Sequence, residues 1–362
     1  MSSGLRVRAL QADDGDAVWI EWDGRPRILV DAGRATTGRA IRAQANTPEG
    51  PAGADLVILT HIDADHIAGA FPLWEDTEPG SAFGTTEVWF NSREQLGPPE
   101  HEKPPEEESL VRSVPQALAL EELIEGRGWN AAAKRGAIAA GQKAKLDDAH
   151  ITVLGPTLEQ LADLIPDWTT EVAKLARRAG SRLAAEKSVD APAVPTSVEE
   201  LTNLAKSGAA LSTNAANTAS IVALVEREVA GDTYRVLLTG DASEEGLREA
   251  IRSHGGSGPL RLSAIKAPHH GSEKNVSCDL VKALDCPVWI FSSDGDRHGH
   301  PSPPAVARVV LSGTRPLHLA FTHRSVYTEI WEKCQDTFGF TTSYGSDFSG
   351  VVVDLQPISK EH

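Results

Sequence analysis

Leu56-Val57-Ile58-Leu59-Thr60-His61-Ile62-Asp63-Ala64-Asp65-His66-Ile67-Ala68-Gly69 runs a short apolar stretch straight into four metal-binding side chains. Leu56 to Leu59 is apolar at every position, the pattern of a strand buried on both faces. Extended geometry then puts His61 and Asp63 on one side. Asp65 and His66 fall where a helix begins, and Gly69 allows close packing. Imidazoles mixed with carboxylates at this density suit a first-row divalent ion such as zinc, manganese or iron. A polar loop holding these residues by chance would leave several charges at the end of a buried strand without a counter-ion.

Working outward, 362 residues allow one large or two modest domains. A net charge of −16 gives no global basic field toward nucleic acid or an anionic membrane. Bound cations would reverse that sign locally. Cys278, Cys286 and Cys334 are widely spaced with no CxxC, so no disulfide framework is expected and a reducing compartment fits. The first residues lack a basic-then-apolar signal, and no apolar run approaches the roughly 20 residues that span a bilayer. The expectation is a soluble cytoplasmic protein with no membrane partner.

Upstream of the central stretch, residues 6–10, 17–22 and 27–30 read as antiparallel strands. They are separated by Asp13-Asp14-Gly15-Asp16 and Asp23-Gly24, the second a hairpin signal. The third strand ends at Asp31-Ala32-Gly33, where the carboxylate either orients a neighbouring ligand or serves a simple turn. Downstream, 87–91 is a strand. Residues of about 92–214 read as a helical insertion inside a single domain spanning 1–362. It contains an acidic loop at 98–108, helices at 114–125, 158–164, 169–187 and up to 206, and one strand at 150–154 through which the core sheet continues. The strand pattern resumes at 221–226, with a turn at Asp232 and a return at 234–238. A helix at 244–253 follows, then strands at 262–266 and 288–292, a helix at 304–311, and strands at 317–322 and 351–355.

Three of these C-terminal strands end in metal-type residues: Gly240-Asp241, His269-His270, and His298 with His300. Together with the first stretch they imply a shared pocket at one sheet edge. Asp241 at a glycine turn suits a carboxylate bridging two cations, the alternative being an N-cap for the helix at Glu244. On extended backbone, adjacent histidines point opposite ways, so one of His269 and His270 is expected to face the metals. His300 is the better candidate for proton transfer or substrate contact, and His298 could share that face.

These residues resemble the metallo-β-lactamase superfamily of metal-dependent hydrolases through Asp31, His61-x-Asp63-x-Asp65-His66, Gly240-Asp241 and His269. More narrowly they resemble the hydrolase domain of ComEC/Rec2-type DNA-uptake proteins. That likeness rests on Gly15-Asp16-Ala17, Asn217-x-x-Ser220, His269-His270-Gly271-Ser272 and Gly299-His300-Pro301. It covers residues 5–91 and 214–312 and leaves out the middle. It implies an α/β fold, an αββα sandwich, with two divalent ions, Zn2+ or Mn2+, in the cleft. His61, Asp63 and Asp241 would serve one ion. Asp65, His66, Asp241 and His269 would serve the other. Asp63 stands where the commonest pattern has histidine, and the Gly-His ligand expected between the halves has no counterpart. A harder, more oxygen-rich site makes manganese a rival to zinc.

The implied chemistry is hydrolysis, with Asp65 and His300 as catalytic candidates. Asp31, His270, Ser272, His298 and Lys266 are candidates for supporting or substrate contacts. By analogy with the branch the leading substrate is a phosphodiester, nucleic acid foremost, with Lys266, Lys274 and Arg297 near the mouth. The alternatives are a small phosphoester, lactone or thioester, which the acidic chain favours, and a regulatory subunit that docks a partner protein through the insertion.

Overall fold

The computed structural model describes residues 4–48, 50–75, 83–92, 114–130, 136–164, 191–211, 214–256 and 258–358. The expected acidic loop at 98–108 and helix at 169–187 lie outside the described residues.

The first sheet has six strands, in the order β16-β1-β2-β3-β4-β5. They are β1 Arg6–Ala9, β2 Val18–Trp22, β3 Arg25–Val30, β4 Gly53–Ile58, β5 Gly84–Trp89 and β16 Val351–Asp354. The turn between β2 and β3 is Asp23-Gly24, with φ of 53° and 78°. Both angles are left-handed, as a tight hairpin matching strand twist requires. The second sheet has eight strands, in the order β15-β14-β13-β11-β9-β8-β7-β6. They are β6 Lys143–Leu146, β7 Ala149–Gly155, β8 Val222–Val229, β9 Asp232–Leu238, β11 Ala264–Lys266, β13 Val288–Phe291, β14 Leu317–Phe321 and β15 Phe340–Tyr344. A small parallel pair, β10 Leu260–Arg261 and β12 Leu284–Asp285, lies apart from both sheets.

Alternation along the strands explains the layering. In β4, Leu56 and Ile58 join a core shared with Val225, Val236, Leu238 and Ile290 of the other sheet. Val57 and Leu59 point the opposite way, into a cluster with Ile41, Ile67, Leu73 and Trp74 of the covering helices. On the second sheet Ile290 faces inward, while Trp289 and Phe291 pack outward against Val306, Val309 and Trp331. Each sheet therefore has one face on the other sheet and one under helices. This is the expected αββα sandwich, and it explains why β4 is apolar at successive positions.

The middle of the chain is more than helical. β6 and β7 form a hairpin that extends the second sheet through β8, and helix Val198–Lys206 packs Leu201 and Ala205 into the outer core of that sheet. The turn expected at Asp232 lies at Ala230-Gly231, where both φ angles are positive. Helix Glu329–Phe338 and strand β15 extend the edge of the second sheet beyond what the sequence reading placed there. Among the described residues, no helix is long and apolar enough to cross a membrane.

Candidate metal centre

β3 and β4 are parallel neighbours, as are β9, β11 and β13. Their carboxyl ends meet at one edge of the sandwich. Two contacts bind the sheets there. Ile221 N–H donates to Thr60 O at 2.9 Å. Gly240, at φ 49°, lies so close to Thr60 and Ser220 that a Cβ would meet Thr60 at 2.9 Å, and only glycine fits.

The first half of the site is built by neighbours in sequence. Asp31 is fully buried and accepts from Thr60 N at 2.7 Å, Thr60 Oγ1 at 2.9 Å and His66 Nδ1 at 2.7 Å. Thr60 Oγ1 in turn lies 3.0 Å from His61 Nδ1. With its proton given to Asp31, the Thr60 hydroxyl accepts from His61. Both imidazoles thus carry their proton on Nδ1 and present a bare Nε2 to the centre.

The second half comes from remote segments. Asp241 Oδ1 lies 3.4 Å from His66 Nε2. Its Oδ2 lies 3.5 Å from His269 Nε2, 3.7 Å from His270 Nε2 and 3.9 Å from His61 Nε2. It does not cap the following helix, because Ser243 does that by accepting from Gly246 N. His269 and His270 do not diverge as an extended pair would. Their φ angles of 48° and 54° are left-handed, and this curls both rings toward Asp241. His269 Nδ1 lies 3.0 Å from Asn275 Oδ1, and the Asn275 amide nitrogen is spent on Asp241 O and Ala242 O. His270 Nδ1 lies 3.1 Å from Asp16 Oδ1 and 3.0 Å from Ser292 O. Lys266 and the Ser292 hydroxyl clamp the Asp16 carboxylate from behind. A Cβ on Gly15 would lie 2.1 Å from Asp65 O, so glycine is needed to bring Asp16 this close to the first loop.

Electrostatics follow from burial against clustered opposite charges. Burial opposes charging His66, but Asp241 and Asp31 outweigh it and hold its pKa well above the usual imidazole range. His270 is likewise raised against its burial, by Asp241 and Asp16. Burial opposes ionisation of Asp241 and Asp16, yet the surrounding imidazoles, with Lys266 for Asp16, hold both below the ordinary carboxylate value. Burial dominates at His269 and lowers it. At His300, burial and the nearby His270, His269 and His298 push the pKa down to about 2.

The remaining expected residues fall at different depths. His61 Nε2 stands 3.7 Å from Asp63 Oδ2, and Asp65 Oδ2 stands 3.7 Å from His270 Nε2. The rings of His300 and His269 are 5.7 Å apart, and those of His298 and His300 are 5.9 Å apart. Ser272 is buried and holds the turn below His269 through Ser272 N–H to His269 O, at 2.8 Å. Lys266 does not reach the mouth. It is 2% exposed, and its ammonium sits on Asp16 near Gly240 O. Asp16, Ser292 and Asn275 were not singled out as site residues. Asp16 stood in the open as part of an Asp-Gly-Asp turn, whereas nothing local marks Ser292 or Asn275.

The donor set fits metal ions. His61 Nε2, His66 Nε2, His270 Nε2 and Asp241 Oδ1 are buried, and no hydrogen bond satisfies them, which is costly unless something else binds there. Potential ligand atoms of Asp16, His66, Asp241 and His270 lie within 4.8 Å of one another. Asp16 is already committed to Lys266 and Ser292, so its place is behind His270.

Residues 10–106 match the sequence model of the metallo-beta-lactamase superfamily. No curated protein matches the chain. Among solved structures, the chain is similar to Tm1679, described as a metal-dependent hydrolase of the beta-lactamase superfamily, at 9% identity over 97% of this chain and 98% of that one, with a TM-score of 0.39. It is similar to unliganded yeast PDE1 at 10% identity over 95% and 98%, with a TM-score of 0.40. It is similar to GOB-18 from Elizabethkingia meningoseptica at 12% identity over 91% and 85%, with a TM-score of 0.30.

Proposed function

We propose that the chain is a two-metal phosphodiesterase, with nucleic acid as the leading substrate. One observation carries the metal-dependent part: three imidazole Nε2 atoms and Asp241 Oδ1 converge, buried and without hydrogen-bond partners. His61, Asp63 and Asp241 would hold one ion. Asp65, His66 and Asp241 would hold the other, together with His270 or His269. Charge supports two ions. Asp16, Asp31, Asp63, Asp65 and Asp241 crowd a region where Lys266 supplies one buried ammonium, and two divalent ions balance the rest. The mixture of imidazole and carboxylate suits zinc or manganese.

When bound, the ions supply Lewis acidity and lower the pKa of water. The chain's own residues set the geometry. Asp31, with Thr60, fixes the tautomers of His61 and His66. Asp16 and Asn275 do the same for His270 and His269. Asp65, beside His270, is placed to accept a proton from the attacking water. His300 stays neutral and offers a hydrogen bond to charge developing on the phosphoryl group. The phosphodiester substrate rests on the ComEC/Rec2-like motifs. A second reading, a small soluble phosphoester, is favoured by the net charge of −16, which repels a polyanion.

Linear DNA, RNA and bis(p-nitrophenyl) phosphate, incubated with manganese, zinc or EDTA, test the proposal beside Asp241→Ala. Metal-dependent cleavage of the polymers that disappears in the variant is expected. Cleavage of the small diester alone would move the assignment to the second reading. No phosphoester cleavage by metal-loaded protein would overturn both.

A further inference from the structure

Three loops that build the metal centre also carry a second, more exposed device. Asp14 lies two residues before Asp16, Arg34 three after Asp31, and Arg297 three before His300. Arg34 grips Asp14 with two nitrogens, Nε on Oδ1 and Nη2 on Oδ2, the latter at 2.6 Å. Arg297 Nη1 donates to the same Oδ2 at 3.2 Å. The Asp14 side chain is 10% exposed, whereas those of Arg34 and Arg297 are 30% and 39% exposed. Among the described residues, no acceptor engages Arg34 Nη1 or the Nε and Nη2 of Arg297. One carboxylate thus orients two guanidiniums and leaves donors of both unspent at the rim, with Asp65 and Asp13 also close enough to act on Arg34.

This device sits beside the catalytic carboxylate. Asp14 and Asp65 both act on Arg34, against its burial, to raise its pKa. Arg297, Asp65 and Asp14 all act on His298. Asp55 Oδ2 likewise takes two arginines, Arg25 and Arg27, and what sets the Asp14 pair apart is its place on the loops that build the metal centre. Two on one oxygen, each with donors left over, form a pre-organised fork for oxygen anions, the geometry that suits phosphate.

We propose that Arg34 and Arg297 are substrate-binding residues, a clamp held by Asp14 that grips a phosphate oxygen of an anionic phosphoester entering the metal centre. The proposal rests on the phosphoester reading above and adds the residues that select for charge. A neutral lactone or ester has no anionic oxygen to offer them.

The test uses manganese-loaded full-length protein as wild type, Arg34→Gln and Arg297→Gln. Kinetics are run on bis(p-nitrophenyl) phosphate and neutral p-nitrophenyl acetate, and inorganic phosphate is titrated by calorimetry. Each variant is expected to raise KM for the diester and weaken phosphate binding about tenfold, the size of one lost charge-assisted hydrogen bond. The kcat for the diester and the KM for the acetate should hold. Arg297→Lys, which keeps charge but not the fork, should recover part of the loss. It also replaces Arg297→Gln if that variant unfolds, as Arg34→Lys replaces Arg34→Gln. Unchanged KM and phosphate affinity, or an equal rise for the neutral ester, would overturn the clamp. If the wild type turns over no phosphoester, the phosphodiesterase reading fails and phosphate affinity alone decides the clamp. Weaker binding in both variants would sustain it, and equal or absent binding would overturn it.

Discussion

The two halves of the metal centre are made in opposite ways. The first half, residues 60–66 with Asp31, is short-range. β4 delivers His61, Asp63, Asp65 and His66 together, and the adjacent parallel strand β3 supplies Asp31. The second half is assembled across the chain. Asp16 meets His270 from 254 positions away and Ser292 from 276. Yet both halves end in the same unit, a buried carboxylate on the Nδ1 of a histidine whose Nε2 faces the centre: Asp31–His66 and Asp16–His270. The unit that orients a metal-binding histidine can therefore come from a local motif or from tertiary folding alone.

Breaking the element common to both halves should have the largest effect. Asp241 is the carboxylate that His61, His66, His269 and His270 all face. Asp241→Ala should abolish hydrolysis and reduce metal content, measured by elemental analysis, by more than the 10- to 100-fold in affinity typical of losing an outer partner.

The next test separates the halves. Asp31→Asn and Asp16→Asn should each weaken metal binding by roughly 10- to 100-fold in calorimetric titrations. Asp16→Asn should also destabilise the fold by on the order of 3 kcal/mol, because it strands the buried Lys266 ammonium. Adding Lys266→Met should recover melting temperature but not metal affinity. Full affinity in Asp16→Asn would show that the remote unit only seals the core.

The same contrast explains what could be read from the sequence. The strands and the ligand stretch of the first half were legible because apolar periodicity, the Asp23-Gly24 turn and the ligand spacing are local signals, whereas the sandwich was expected from the family resemblance. The joint approach of His269 and His270 to Asp241 was not, because it depends on two successive left-handed residues where extended backbone was the natural reading. Asp16 lay within a motif already quoted, but its role requires Lys266 and Ser292 from the other sheet. Helix Glu329–Phe338 begins without a side-chain cap, and β15, Phe-Thr-Thr-Ser-Tyr, has no apolar alternation, so neither announced itself. The hairpin of β6 and β7 showed only its second strand.

Metal uptake should respond to pH. The carboxylates around His66 and His270 raise both pKa values and so favour a second proton, on Nε2, as pH falls. A bound ion competes with that proton for Nε2. Titrations in buffers of different ionisation enthalpy should show proton release, with affinity falling as pH drops. Uptake without proton release would contradict this.

The smallest effect concerns the rim. Asp14 is held down to about 2, because Arg34 and Arg297 outweigh its burial. A depressed carboxylate stabilises the fold fully above its unfolded value of roughly 3.9, and that stability is lost as pH falls toward 2. Asp14→Asn should therefore cost on the order of 2 kcal/mol at pH 7 in urea unfolding, with the gap closing in acid.

Anomalous diffraction from crystals grown with manganese, and separately with zinc, tests the central claim most directly. Two peaks are expected, each within about 2.6 Å of an Asp241 oxygen, one beside His61 and Asp63 and the other beside His66. A fully loaded crystal with no peak at Asp241 would contradict the account.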